Sequence, residues 1–272
     1  MTDALWLLIG AALNALLAFG AWAKKSLTAS GALSAVIIGF GIFFAGRFFF
    51  WSMLMAFFLT STLLSHYRSE TKRSMEELTG RGKRRDAAQA FANGGVALIL
   101  ALAYRFTGKM ELLAGFGAAL AAANADTWAS ELGILSRRKP VSVLSLKPVP
   151  RGTSGGVSGF GFLASFLGAA VIGGVFLAGQ LAAGIAGARA LIASFLVAAA
   201  GVTGSLFDSI LGASVQAQYR DCLTGVRTEK STAGRRKNEL VRGFPLINND
   251  AVNVLSIAGA AACAVLVYPV FF

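Results

Sequence analysis

Residues 29–65 read ASGALSAVIIGFGIFFAGRFFFWSMLMAFFLTSTLLS, 37 positions with a single charged side chain, Arg47. A helix crosses the hydrocarbon core of a bilayer with about 20 apolar residues. The stretch therefore predicts two crossings, Ala29–Gly46 and Phe48–Ser65, turning at Arg47. No soluble core helix needs an apolar run of that length. The rest of the 272-residue chain has the same character, with 56% hydrophobic and 14% charged residues, against about 25% charged in an ordinary soluble domain. This composition excludes a disordered chain, a disulfide scaffold and an ordinary soluble enzyme.

Working outward, further spans are expected at Ala4–Trp22, Ala87–Tyr104, Leu112–Leu132, Gly159–Leu177, Ala190–Ser209 and Val252–Phe271. The fold class expected is therefore all-α: a polytopic transmembrane helical bundle of about eight spans in one domain, 1–272. The stretch Val157–Gln218 could hold two long helices or three short ones, and loop charge decides. Lys and Arg in the nine segments outside the spans number 0, 2, 1, 7, 2, 5, 1, 7 and 0 from the N-terminus. High and low alternate at every step, and basic loops stay in the cytoplasm. Eight spans with both termini outside follow, and a third helix in 157–218 would break the alternation. The cytoplasmic loops are then 66–86, 133–158 and 219–249. The net charge of +12 reads as topology signal and anionic-lipid or phosphate contact, not as a nucleic-acid surface. No basic segment precedes the first apolar run, so no cleaved leader is expected. Cys222 and Cys263 lack a metal spacing and are expected as free thiols.

Ionisable residues at or inside spans are costly and mark functional sites by default. Here they gather at one end of the predicted bundle. Asp86, Gln89 and Asn93 share a helix face. The fifth span closes with Asn124-Ala125-Asp126-Thr127-Trp128-Ala129-Ser130-Glu131. Asn124, Thr127 and Glu131 fall on one face of it and Asp126 and Ser130 on another, so a shared site predicts that the helix unwinds between Asp126 and Glu131. The seventh ends with Ser205, Asp208, Ser209, Gly212 and Gln216, and the eighth begins with Asn248, Asn249, Asp250 and Asn253. Oxygen ligands at this density suit Mg²⁺, which is held by one or two carboxylates together with substrate phosphates.

Before the sixth span stands Pro150-Arg151-Gly152-Thr153-Ser154-Gly155-Gly156-Val157-Ser158. Glycines let backbone N–H groups face an anion, the following helix N-terminus favours negative charge, and arginine grips phosphate with two N–H groups. It is not a Walker loop, since no Gly-Lys-Ser/Thr follows at the required spacing. Lys24-Lys25 reads as a topology anchor or a phosphate contact. Arg81-Gly82-Lys83-Arg84-Arg85 and Arg235-Arg236-Lys237 read as anionic-surface contacts, His66 as a solvated span end, and Trp128 as a membrane-interface anchor. The Gly/Ala-rich stretch Phe160–Gly204 reads as close helix packing.

Three strings, Asn124-Ala-Asp-Thr-Trp-Ala-Ser-Glu-Leu-Gly133, Arg151-Gly-Thr-Ser-Gly-Gly-Val-Ser158 and Gly204-Ser-Leu-Phe-Asp-Ser-Ile-Leu-Gly-Ala213, resemble the signatures of an integral-membrane family that includes plant phytyl-phosphate kinase. The resemblance runs from Lys24-Lys25-Ser26 through Arg85-Asp86-Ala-Ala-Gln89 to Asn249-Asp250 and Asn253. It extends more distantly to dolichol kinase and CDP-diacylglycerol synthase. It implies a kinase that converts a prenyl monophosphate, such as phytyl or geranylgeranyl phosphate, to its diphosphate, with CTP as the expected donor. On that basis Asp126, Glu131 and Asp208 are the expected catalytic and Mg²⁺-binding residues, with Asp250 or Asn249 completing the metal shell. Arg151, Gly152, Thr153, Ser154, Gly155 and Gly156 are expected to cradle phosphates, with Lys25, Asn93 and Asn124 as further substrate contacts. The expected partners are membrane lipid, prenyl monophosphate and nucleoside triphosphate. The expected setting is a bacterial-type plasma membrane with the site facing the cytoplasm. The alternatives are a CTP-dependent lipid-phosphate cytidylyltransferase and a transporter of phosphorylated lipids. A transporter would place its polar site near the bilayer midplane, often between inverted repeats, and no repeat is evident.

Overall fold

The computed structural model describes residues 3–67 and 84–272. Seven helices dominate the described residues: α1 (Asp3–Ala23), α2 (Ala29–His66), α3 (Ala87–Thr107), α4 (Met110–Gly133), α5 (Gly159–Ala182), α6 (Ala188–Ser214) and α7 (Asn249–Phe271). Six of them, all but α4, are long and apolar enough to cross a membrane. Large apolar side chains such as Leu16, Ile99, Phe195 and Leu266 face outward, where only lipid can cover so much apolar surface.

Helix α2 is not straight. Gly46 and Arg47 leave helical geometry, Arg47 with a φ of 53°. Asn14 of α1 reveals the size of the bend. Its side chain lies against Gly39 and accepts a hydrogen bond from Trp51 Nε1 at 3.2 Å. Twelve residues of straight helix would separate Gly39 and Trp51 by about 18 Å. One side chain reaches both because the two arms fold back on each other. Phe43 and Trp51, with ring centroids 6.5 Å apart, meet across the same turn. Arg47 closes it with an ion pair to Asp3 at 2.8 Å.

Helix ends sort into two groups. The turn at Arg47 lies with the start of α1. Phe50 of the second arm meets Tyr104 near the end of α3 and Phe116 near the start of α4, and Phe49 meets Phe176 near the end of α5. At the opposite end, α2, α3, α5 and α7 begin. Each start is capped by a short polar side chain: Thr28 to the Gly31 N–H, Asp86 to Gln89, Ser158 to Gly161 and Asn248 to Ala251. These caps satisfy backbone donors that a helix start leaves open. The starts of α4 and α6, at the Arg47 end, have no side-chain cap.

Helix α4 is the axis of the bundle and packs against α2, α3, α5, α6 and α7. Every residue from Leu113 to Ala125 is buried. Its neighbours approach it backbone to backbone. A Cβ added at Gly201 of α6 would lie 2.6 Å from Ala121 Cβ. Small residues permit this spacing, as the Gly/Ala-rich composition of 160–204 predicts. That stretch holds two helices, not three.

The loops at the capped end are more structured than an all-α reading allows. β1 (Val141–Ser142) pairs with β2 (Gly156–Val157). β3 (Gln218–Arg220) lies between β4 (Arg227–Thr228) and β7 (Glu239–Arg242), and β5 (Thr232–Ala233) pairs with β6 (Arg236–Lys237). These strands are two to four residues long, too short for period-two alternation to announce them.

Candidate functional site

A cavity of about 360 Å³ opens at the capped end of the bundle. Its walls come from the ends of α2, α3, α4, α5, α6 and α7 and from the loop 150–158. Asp126, Glu131, Asp208, Asp250, Asn93 and the whole run Arg151–Gly156 line it, as do Asn249 and Asn253. Lys25 and Asn124 do not.

The α4 carboxylates reach the cavity without unwinding. The helix is continuous from Met110 to Gly133. Asp126, Thr127, Ala129, Ser130 and Glu131 all face the cavity, so the space wraps round the helix end and serves two faces at once. The expected distortion is not needed. Ser65 Oγ, at the end of α2, donates to Glu131 Oε1 at 2.7 Å, and Ser256 Oγ donates to Asp208 Oδ2 at 3.2 Å. Among the described residues, no group of three or more His, Cys, Asp or Glu side chains stands ready to hold a metal ion.

Arg151 lines the cavity and donates through Nη2 to the carbonyls of Ser136 (2.7 Å) and Arg137 (3.2 Å). It thereby ties its own loop together. Ser154 and Gly155 dock that loop on α6. Ser154 Oγ lies 2.5 Å from Gln216 Oε1 and 3.1 Å from the Gly212 carbonyl. Gly155 has φ +78°, and a Cβ there would collide with the backbone and Cβ of Ala213; glycine is required on both grounds. The Gly212 carbonyl also accepts a hydrogen bond from Arg242 Nη2 at 2.5 Å. The loops 133–158 and 219–249 thus meet on the negative end of the α6 dipole.

Asn124 is fully buried and has a different place. Its Oδ1 accepts from Thr60 (3.0 Å) and Ser61 (3.4 Å), and its Nδ2 donates to the Gly168 carbonyl at 2.8 Å. It binds α2, α4 and α5 to one another below the cavity floor. Trp128 is part of the same joint, not an interface anchor. Its N–H donates to Thr60 at 3.2 Å and its ring packs on Gly168. Lys25 sits in a turn with φ 58°. Its neighbours' backbone makes the useful contact: Arg85 N–H donates to the Ser26 carbonyl and Thr28 N–H to the Arg85 carbonyl, each at 3.0 Å.

That pairing explains a residue the sequence leaves inconspicuous. Arg85 ends a basic run whose first members, 81–83, lie outside the described residues. The backbone bridge pulls it out of the run and into the cavity wall. Burial pushes its guanidinium below the ordinary arginine value, and the nearby Glu131 carboxylate opposes that shift. His66, read as solvated, lies on the cavity rim. Two other wall residues are incompletely satisfied. Ser165 Oγ and Gln216 Nε2 are buried without a hydrogen-bond partner among the described residues. A buried polar atom left unpaired costs about 1–3 kcal/mol, and both residues line the cavity. Ser158, Gly161 and Ser165 follow i, i+3, i+7 spacing on α5, the sequence signal that marks Ser165.

An apolar helical bundle with a polar-lined cavity at its capped end defines a polytopic membrane protein. The chain belongs to the integral membrane protein DUF92 family, which it matches over residues 12–261. It is 31% identical over 269 residues to Protein PGR of Arabidopsis thaliana, covering 92% of each chain. It is 33% identical over 196 residues to the uncharacterized membrane protein MJ0933 of Methanocaldococcus jannaschii, covering 70% of this chain and 76% of the relative. An uncharacterized membrane protein of Synechocystis, sll0875, is 27% identical over 215 residues, covering 75% of this chain and 80% of its own. No solved structure matches.

Proposed function

We propose that the protein is an isoprenoid-phosphate kinase. It transfers the terminal phosphoryl group of a nucleoside triphosphate, with CTP the expected donor, to a prenyl monophosphate such as phytyl or geranylgeranyl phosphate. The observation that supports this reading best is the convergence of five carboxylates (Asp126, Glu131, Asp208, Glu229 and Asp250), two arginines and the starts of α3, α5 and α7 on one cavity. Phosphoryl transfer asks the protein for positioning and for charge on the phosphates, and for little covalent chemistry.

The residues divide the work by chemistry. Arg151 and Arg85 hold phosphate oxygens, and the positive ends of α3, α5 and α7 add to the field. An oxygen of the acceptor phosphate attacks the terminal phosphorus, and the bond from that phosphorus to the bridging oxygen breaks. The nucleoside diphosphate leaves with the electron pair. The acceptor is already an anion at neutral pH, so no side chain need take a proton from it. Asp126, Glu131, Asp208 and Asp250 are the residues that would hold Mg²⁺. Magnesium is usually held by one or two carboxylates together with substrate phosphates, so one or two of these four would suffice for an ion that arrives on the nucleotide. When bound it neutralises charge on the transferring phosphates. We place this chemistry in a chain with eight crossings and both termini outside, in a bacterial-type plasma membrane, with the cavity facing the cytoplasm. The basic residues of the described loops crowd the cavity end, as the positive-inside rule asks.

Product analysis tests this reading. Purified protein receives Mg²⁺, geranylgeranyl phosphate and each of CTP, UTP, ATP and GTP in turn. Prenyl diphosphate with nucleoside diphosphate is the expected outcome. A nucleotidyl-lipid with pyrophosphate would replace the kinase by the cytidylyltransferase, and no product from folded protein would overturn both.

A further inference from the structure

A second cavity, of about 80 Å³, lies between α1, both arms of α2 and α3. Its walls are apolar, with Leu17, Ala35, Leu54 and Phe58 among them. The one amide in the α1 wall, Asn14, is engaged internally, with the Gly10 carbonyl at 2.8 Å and Trp51 Nε1 at 3.2 Å. It therefore offers a ligand little polarity. This apolar cavity is not separate from the polar one. Arg85, Gln89 and Asn93 line both. The two spaces share a wall, and a cation stands in that wall with Glu131 near it on the polar side.

We infer that the apolar cavity between α1, α2 and α3 seats the first few carbons of the hydrocarbon chain of an amphiphilic phosphate whose head lies in the polar cavity, with Arg85, Gln89 and Asn93 at the joint between head and tail and the rest of the chain running on into lipid. An apolar space that opens onto a cation and two amides matches a molecule that is apolar along its length and anionic at one end. A wholly polar ligand would leave the apolar walls uncovered, and a wholly apolar one would leave the guanidinium unmatched. The inference deepens the kinase reading and rests on it for the identity of the head group. It also fixes something that reading leaves open: the chain enters on the α1–α3 side of α4, away from α5 and α6.

Photolabelling separates the two ideas, because it needs no turnover. The full chain in lipid nanodiscs is labelled with hexadecyl phosphate bearing a diazirine on the carbons nearest the phosphate, and the labelled peptides are mapped. Label on α1, α2 and α3 around Leu17, Ala35 and Phe58 is expected, suppressed by excess unlabelled geranylgeranyl phosphate. Label on α5 and α6, or label no greater than a diazirine phosphatidylcholine gives, overturns the inference. Ala35→Phe, which fills the space, is expected to lower groove labelling about tenfold. Ala35→Val provides a milder filling if the larger side chain prevents folding, and unchanged labelling in folded Ala35→Val and Ala35→Phe protein counts against the groove. Groove labelling without any kinase product would overturn the kinase and leave the groove standing.

Discussion

Ser165 and Asn124 are both buried polar residues near the cavity, and their hydrogen bonding gives them opposite expected behaviour. Ser165 Oγ has no partner among the described residues, so Ser165→Ala removes an uncompensated desolvation cost. Thermal unfolding in detergent should show stability unchanged or raised by up to about 1 kcal/mol, while KM for one phosphate-bearing substrate rises about tenfold. Asn124 joins three helices through Thr60, Ser61 and Gly168. Asn124→Ala strands those partners in the interior and should cost at least about 1–3 kcal/mol in the same unfolding experiment. The carboxylates are tested by charge alone. Asp126→Asn and Asp208→Asn keep shape, and each should lower kcat/KM about a hundredfold or more in protein that elutes and unfolds like the parent. Unchanged turnover would remove these residues from the metal assignment. Asp126 and Asp208 stand out in the sequence because carboxylates are rare beside apolar runs. Arg85 does not, since a backbone pairing with Ser26 and Thr28, distant in sequence, is what separates it from its basic neighbours.

Helices are where hydropathy reads best and errs most systematically. The apolar core of each span is legible, but the ends are not. Hydropathy stops the seventh span at Ser209, whereas the helix continues to Ser214; it starts the eighth at Val252, whereas the helix begins at Asn249. In the eighth the missing turn carries the cavity residues Asn249 and Asp250, and in the seventh it carries Gly212, whose carbonyl receives Ser154 and Arg242 from the loops beside the cavity. A helix that ends in a polar cavity keeps its geometry after its lipid-facing character has gone, so hydropathy stops short at the site. The short strands of the loops escape for the opposite reason, having too few residues to show any period. Packing at this scale is set by α4. Gly201→Leu would drive a side chain into Ala121, already 2.6 Å from a bare Cβ. It should lower stability by about 1–3 kcal/mol, read as a fall in Tm, whereas the same change at Gly174, with open space around it, should leave Tm near the parent value.

For the molecule as a whole, the separation of its two ends is the testable property. Cys222 is exposed in the loop between β3 and β4, at the cavity end. In a Cys263→Ala background, a membrane-impermeant maleimide should label Cys222 in inside-out vesicles and not in intact spheroplasts. The reverse pattern would invert the topology, and with it the side from which nucleotide must come. Helix α4 carries a last consequence, for biogenesis. It is the most enclosed helix and yet is not among those apolar enough to cross a membrane by composition. Surrounded by protein, it needs small side chains more than oily ones. During synthesis, however, it leaves the ribosome before α5, α6 and α7 exist to surround it. The insertion machinery would find it a poor passenger alone. The link to α3 is only Gly108 and Lys109, too short to leave it behind. Helices α3 and α4 should therefore enter the bilayer together as a hairpin, with α4 partitioning efficiently in a reporter fusion only when α3 precedes it.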